Sequence, residues 1–171
     1  LVGVDVVIDV TNAQAADAEA TRNLFATATR NILAAEQRAR VKHHALLSIV
    51  GLERIEGNAH YTGKRLQEEI LLSGPIPLTI QRATQFHESM LLLVQQMAKL
   101  PVLPVPAGWR FQPINAGEVA DRLAELALDT ASGLVLDIAG PRVYEMTELV
   151  RAYLQARGKH RRDQRQQQQR L

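Results

Sequence analysis

The sequence contains no cysteine and few aromatic residues. Phe, Trp and Tyr make up 4% of its 171 residues, so a core must be built from Val, Ile, Leu and Ala. This composition suits parallel sheets packed against Ala-rich helices. The absence of cysteine excludes a disulfide framework and thiolate chemistry, and it fits a reducing compartment. A chain of this length is long enough for one domain with its own core.

Long apolar runs are also missing. No run reaches the roughly 20 residues that a membrane-spanning helix requires. The opening segment LVGVDVVIDV does not resemble a signal peptide, because no basic segment precedes it and Asp5 and Asp9 interrupt it. We therefore expect a cytoplasmic protein with no membrane partner.

The basic residues are concentrated at the end of the chain. Residues 151–171 carry a formal charge of +6 and the whole chain +2, which leaves −4 for residues 1–150. Residues 159–171 are rich in Gln and Arg and have no core-forming face, so we expect a disordered tail after a domain that spans residues 1–158. Because the positive charge belongs to this tail and not to the surface of the domain, we expect no specific nucleic-acid partner. The alternative, a nucleic-acid binder driven by the tail, predicts salt-dependent binding that is lost when residues 158–171 are removed.

Apolar strands alternate with amphipathic helices along the chain. Strands are predicted at residues 4–10, 45–50, 77–82 and 133–138, and helices at 17–40, 61–72, 88–98, 116–128 and 146–157, with a Pro-rich loop and at most one short strand at 101–113. This alternation predicts βαβ crossovers and an α/β fold with a parallel sheet flanked by helices. The sequence contains no Gly-x-Gly-x-x-Gly motif, so we expect the C-terminal part of a doubly wound, Rossmann-type fold.

Polar residues follow several of the predicted strands. Ligands of open α/β sheets bind beyond the carboxyl ends of the strands, which selects Thr11, Asn12 and Ala13, then Ser48 to Gly51, then Ala83 to His87. Ser48 could donate a hydrogen bond to a substrate oxygen. Lys64, on the first turn of the next helix, could bind ribose hydroxyls and lower the pKa of a neighbouring proton donor. The alternatives are a turn or cap role for Ser48 and a solvated helix position for Lys64.

His60 and Tyr61 are two candidate proton donors near Lys64. An imidazole titrates near neutrality, at about 6.5, whereas a phenol titrates near ~10 and needs a nearby cation. His60 precedes Lys64 by one helical turn, so both side chains are expected on the same side of the helix, while Tyr61 lies about 100° around it. The alternative is that His60 only lies near the helix start and Tyr61 packs on the sheet.

The adjacent pair His43 and His44 does not predict a metal site. Neighbouring residues on a strand point to opposite faces of the sheet and cannot chelate one ion. Nor does the sequence show a carboxylate cluster with metal-ligand spacing. No metal is expected.

Several segments in order resemble the NmrA-like, atypical short-chain dehydrogenase/reductase family. They cover about residues 1–157 and read VDVVIDVTNA, ATRNLFATATRNILAAEQRARV, HHALLSIVGLERIEGNAHYTGK, PLTIQRATQFHE and LDIAGP. The resemblance implies a Rossmann-type NAD(P)-binding fold. Members of the family include NAD(P)H-dependent reductases, some of them quinone reductases, and catalytically inert dinucleotide sensors.

The resemblance also implies roles for individual residues. It matches Ser48 to the active-site serine and Lys64 to the lysine that holds the nicotinamide ribose. Asn12 and its neighbours would border the ribose, and the loop with Thr84, Gln85 and Phe86 would approach the nicotinamide and the substrate. The sequence departs from the family pattern at the tyrosine position, which holds His60, and it lacks the glycine-rich loop.

Two functions follow as expectations from this resemblance. The first is an NAD(P)H-dependent oxidoreductase, acting in its complete form on a small-molecule substrate such as a quinone or another carbonyl compound. The second is a non-catalytic NAD(P)-sensing regulator, which His60 favours. The sequence resembles an internal piece of a longer protein, so its first strand is expected to have an unpaired edge that promotes self-association.

Overall fold

The computed structural model describes residues 1–12, 17–97 and 108–156. Strands and helices alternate through most of these residues, and the strands are short apart from two. In chain order the elements are β1 (Val6–Asp9), α1 (Ala18–Ala39), β2 (His43–Ile49), α2 (Ala59–Leu72), β3 (Leu78–Ala83), α3 (His87–Met97), β4 (Arg110–Phe111), α4 (Ala116–Leu128), β5 (Gly133–Leu134), β6 (Tyr144–Glu145) and a last helix α5 (146–156).

Four strands form a parallel sheet in the order β1-β2-β3-β5. In the register of this sheet Asp9 pairs with Leu46, and Ser48 pairs with Arg82. The helices that connect β1 to β2 and β2 to β3 are α1 and α2, so these strands are joined by βαβ crossovers. The predicted α/β fold with a parallel sheet flanked by helices is confirmed.

Side chains at their ends cap the first two helices. The Asp17 carboxylate accepts a hydrogen bond from the backbone N–H of Ala20 at 2.7 Å, and Arg40 ends α1 in the left-handed conformation with φ of 59°. The Asn58 side chain accepts from the backbone N–H groups of His60 and Tyr61, which fixes the start of α2. The structure therefore starts α2 two residues before the predicted helix at 61–72.

Chain contacts divide the protein into two units. The first unit contains Leu1–Thr84 and Gly117–Ile138, and hence the four-stranded sheet with α1 and α2. Its apolar core includes Leu33 of α1, Leu46 of β2, Leu71 of α2 and Ile80 of β3. The alternation along β2 places His44, Leu46 and Ser48 on the face that α1 and α2 cover.

The second unit contains Gln85–Ala116 and Ala139–Leu171. In it, β4 and β6 form an antiparallel pair. Its core is formed by side chains of α3 and α5, namely Met90, Val94, Met146, Leu149 and Val150. The division of the chain into a domain at residues 1–158 and a tail stays a prediction, because the tail lies outside the described residues.

Two strands are shorter than their sequence patterns indicate. The first ends at Asp9, not Val10, and starts at Val6, not Val4. The last is regular only at Gly133–Leu134, and it meets β3 again through a single bridge between Ile138 and Ala83. Between these points the Gln81 side-chain amide donates to the Leu136 carbonyl at 2.8 Å, so a side chain takes the place of a ladder hydrogen bond. None of the described helices is long and apolar enough to cross a membrane.

Candidate active site

The carboxyl end of β1 is organised by Asp9. One carboxylate oxygen accepts a hydrogen bond from the backbone N–H of Thr11 at 2.7 Å, which closes a tight turn. The other accepts from the Gln67 side-chain amide at 2.9 Å. Asp9 is 3% exposed, and its hydrogen bond with Gln67 is buried, whereas the one with Thr11 is partly buried. The sequence patterns assigned no function to Asp9 or Gln67.

Lys64 connects α2 to the ends of two strands. Its Nζ donates to the carbonyl oxygen of Thr11 at 2.8 Å, to that of Leu47 at 2.9 Å and to the Gln67 Oε1 at 2.9 Å. These three bonds use all three protons of the ammonium group. With the side chain 4% exposed, Lys64 is a buried cation, and the alternative of a solvated helix lysine is wrong.

Burial changes the acidity of Lys64. Loss of hydration lowers its pKa from 10.5 to about 8, although the charges of Asp9 and Glu68 oppose this change. The Phe25 ring of α1 lies under the ammonium group, with its centroid 5.3 Å from Nζ. A lysine with this pKa titrates close to neutral pH, as proton donors and acceptors of enzymes commonly do.

Ser48 lies one residue beyond the carbonyl that Lys64 binds. Its hydroxyl is buried, and its Oγ has no hydrogen-bond partner among the described residues. A buried hydroxyl without a partner is energetically costly. The arrangement is therefore suited to a ligand oxygen that accepts the Ser48 hydrogen bond.

His60 and Tyr61 both lie at the half-buried start of α2. The His60 ring is 5.7 Å from the Phe25 ring, and Tyr61 contacts the His60 ring edge-on at 6.4 Å. Burial and the nearby Lys64 charge lower the pKa of His60 below 6.5. His60 and Lys64 thus both contact Phe25, whereas the ring of Tyr61 contacts that of His60.

Close approach between α1 and α2 depends on Gly63. A Cβ atom at this position would lie 2.3 Å from Cδ2 of Phe25. Phe25 belongs to the apolar stripe that the sequence predicts on α1. Gly63 is a glycine inside an amphipathic helix, directly before the candidate lysine, and such a glycine is a signal of close packing. Gly63 and Phe25 set the depth at which Lys64 and His60 lie.

The other candidate cofactor-binding residues are Thr11 to Ala13 and Thr84 to Phe86. Thr11 is half-buried and Asn12 is exposed, while Ala13 lies outside the described residues. The backbone N–H of Thr84 donates to the Ile138 carbonyl at 3.1 Å within the first unit. Gln85 and Phe86 belong to the second unit, where the Gln85 carbonyl accepts from Ile114. The functional roles of all these residues stay predictions.

The two adjacent histidines contact different partners. His43 is hydrogen-bonded to the Thr79 hydroxyl at 2.8 Å, and His44 to the Glu36 carboxylate at 2.7 Å. Their rings lie on opposite faces of β2, as the strand period requires. Within residues 1–12, 17–97 and 108–156, no group of three or more His, Asp or Glu side chains is arranged to hold a metal ion.

Comparison with known proteins gives structural neighbours only. No family model and no curated protein matches the chain. A nucleoside-diphosphate-sugar epimerase from Staphylococcus aureus matches with a TM-score of 0.69 and 16% identity, over 92% of this chain and 55% of that one. The Bordetella bronchiseptica enzyme WbmG, solved in complex with NAD, matches with a TM-score of 0.69 and 11% identity, over 90% of this chain and 56% of that one.

A UDP-glucose 4-epimerase from Thermotoga maritima, solved with UDP-glucose, gives a TM-score of 0.66 and 12% identity, over 90% of this chain and 61% of that one. The chain thus spans between 55% and 61% of the length of these three proteins. At such identities the similarity shows the fold alone, which is a Rossmann-type α/β fold. The finer NmrA-like assignment stays a prediction.

Proposed function

We propose that this chain forms the nicotinamide and substrate side of an NAD(P)H-dependent oxidoreductase of the NmrA-like kind, which reduces a quinone or another carbonyl compound. The observation that carries the proposal is the position of Lys64. Its buried ammonium group binds the carbonyl of Thr11, just beyond β1, and that of Leu47 in β2. Leu47 directly precedes Ser48, whose hydroxyl has no hydrogen-bond partner among the described residues. Ligands of open α/β sheets bind at this edge.

The residues present fit one end of a dinucleotide. Lys64 supplies a positive charge and the Thr11 carbonyl an acceptor, which suits ribose hydroxyls, and Ser48 supplies an unused donor. Because all three Lys64 protons are already bonded, a ribose hydroxyl would replace one of the present acceptors. The sequence has no Gly-x-Gly-x-x-Gly loop, so we assign no residue of this chain to the pyrophosphate.

The chain's own residues would orient and polarise the substrate. A bound reduced nicotinamide would supply the hydride. Ser48 would donate a hydrogen bond to the substrate oxygen, and the Lys64 charge would stabilise the negative charge that develops on it. With its pKa lowered below 6.5, His60 is mainly neutral at pH 7, so its imidazolium form would deliver a proton efficiently only in more acidic solution.

A non-catalytic NAD(P)-sensing protein is the second candidate. His60 occupies the position at which the resemblance predicts a tyrosine, and its lowered pKa makes it a poor match for that role at neutral pH. Such a protein would retain Lys64 and Ser48 for binding while lacking an efficient proton donor. Binding without turnover distinguishes it from an enzyme.

Cofactor oxidation by the full-length gene product tests the proposal. NADH and NADPH binding is measured by calorimetry, and cofactor oxidation is followed with a panel of quinones and other carbonyl compounds. The enzyme proposal predicts binding and turnover, with turnover reduced at least tenfold in Ser48→Ala. Binding with no turnover by any acceptor supports the sensor, and absence of binding rejects both candidates.

A further inference from the structure

A chain of buried polar side chains continues from Lys64 into the interior. Lys64 Nζ donates to Gln67 Oε1 at 2.9 Å, and Gln67 Nε2 donates to Asp9 Oδ2 at 2.9 Å. Beyond Asp9, the Nε2 of His44 lies 3.7 Å from the same carboxylate oxygen, and its Nδ1 is bonded to Glu36 at 2.7 Å. Each of these side chains is at most 4% exposed.

The hydrogen-bonding capacity of Gln67 determines its orientation. An ammonium group only donates, so it faces the amide oxygen, and an ionised carboxylate only accepts, so it faces the amide nitrogen. Gln67 therefore joins a cation to an anion without carrying charge itself. A leucine of similar size can make neither hydrogen bond, and a glutamate can accept from Lys64 but cannot donate to Asp9 when ionised.

The charges around Lys64 come from several elements. Asp9 approaches from β1, while Glu68 and His60 lie on α2 with Lys64 itself. The Phe25 ring faces the ammonium from α1. Behind Asp9, His44 of β2 and Glu36 of α1 complete the surroundings. Of these groups, Asp9 is the one linked to Lys64 through a single buried side chain, Gln67.

We propose that Gln67 is a positioning residue, which holds the Lys64 ammonium at the strand ends and couples it to the buried charge of Asp9, so that Lys64 stays protonated near neutral pH. This inference rests on the proposed function in one respect, namely that Lys64 binds the cofactor. Gln67 contacts no reacting atom and acts through Lys64.

Titration of Lys64 by NMR tests the inference without any cofactor. The lysines of the chain are Lys42, Lys64, Lys99 and Lys159, so lysine-selective ¹³C labelling gives few signals, and Lys64→Arg assigns the one of interest. In Gln67→Leu we expect the Lys64 midpoint to fall by about one pH unit, because one hydrogen bond to the charged form is lost. In Gln67→Glu we expect it to rise, because a carboxylate replaces the amide oxygen.

A matched control is Gln37→Leu, which changes an exposed glutamine of α1 and should leave the Lys64 midpoint unaltered. A merely structural role of Gln67 would lower the melting temperature without moving the Lys64 midpoint, and that result would overturn the inference. If Gln67→Leu does not fold, Gln67→Glu decides by the same criterion. The titration contains no NAD(P)H, so its outcome does not depend on the proposed function. The proposed function fails separately if Lys64→Met binds the cofactor as tightly as the wild type does.

Discussion

The Lys64 ammonium donates to the Leu47 carbonyl at 2.9 Å, across 17 positions of sequence. This bond joins the second turn of α2 to the end of β2, directly before Ser48. Lys64, a site residue predicted from the sequence, thus also connects α2 to β2. Its substitution should therefore affect both the stability of the first unit and the geometry of the candidate site.

Replacement of Lys64 should destabilise the protein. Lys64→Met leaves the carbonyls of Thr11 and Leu47 without their donor and Asp9 without its nearby cation, and we expect a loss of about 2–4 kcal/mol. Lys42→Met is the control, because Lys42 forms an exposed ion pair with Asp5, and such pairs contribute roughly 1 kcal/mol or less. Urea unfolding measures both variants, and equal losses would contradict the buried role of Lys64.

A methyl group at Gly63 should loosen the contact between α1 and α2. Alanine favours a helix by about 1 kcal/mol over glycine, yet the added Cβ would lie 2.3 Å from the Phe25 ring. We therefore expect Gly63→Ala to destabilise the chain by about 1–3 kcal/mol, as overpacking does. Thermal unfolding measures the change. The second substitution Phe25→Leu should relieve the overlap, so that Gly63→Ala costs less in that background than in the wild type.

Stability should depend on pH through Lys64. Its pKa of about 8 in the folded chain is below the 10.5 of an ordinary lysine, so between these values the unfolded chain binds more protons than the folded one. The free energy of unfolding should therefore rise with pH across this window, by roughly 1–3 kcal/mol. Urea unfolding at pH 7.5 and pH 10 measures the rise. Lys64→Met should lack this rise, and an identical pH dependence in both proteins would refute the assignment.

Local signals in the sequence located the helices well. The helix predicted at 17–40 is found at Ala18–Ala39, because the Asp17 side chain caps its start and Arg40 ends it. Of the apolar residues at helical spacing on α1, Phe25 and Leu33 are buried, whereas Leu24 is 42% exposed. The parallel sheet follows from the same alternation of strands and helices, which imposes crossover connections.

The polar interior could not be predicted in this way. Gln67 and Asp9 are 58 positions apart, and their contact depends on how α2 packs over β1, which no local period encodes. In the sequence, Asp9 interrupts an apolar strand and lies on the same strand face as Asp5, too far away to form a carboxylate pair with it. Likewise, the Gln81 side-chain amide donates to the Leu136 carbonyl, 55 positions away in sequence. The local pattern around residues 133–138 carries no sign of that bond.

The outer edge of β1 should promote self-association. In the part of the chain that the structure describes, β1 pairs only with β2, and Ile8 is 44% exposed. Unpaired strand edges with apolar side chains associate readily, and a lysine on such a strand opposes this. We expect the 171-residue chain to form oligomers that Ile8→Lys reduces, as judged by sedimentation velocity. A monodisperse wild-type monomer with a cooperative unfolding transition would contradict this expectation.

Cofactor affinity of the Lys64 variant is the most direct test of the account. Calorimetric titration of NADH and NADPH is carried out on the full-length gene product, on Lys64→Met and on the control Lys42→Met, with circular dichroism to verify that each protein is folded. We expect the wild type and Lys42→Met to bind a dinucleotide with the same Kd, and a folded Lys64→Met to bind it at least tenfold more weakly. Equal affinity in all three proteins, or no binding by the wild type, would contradict the assignment of Lys64 to a dinucleotide site.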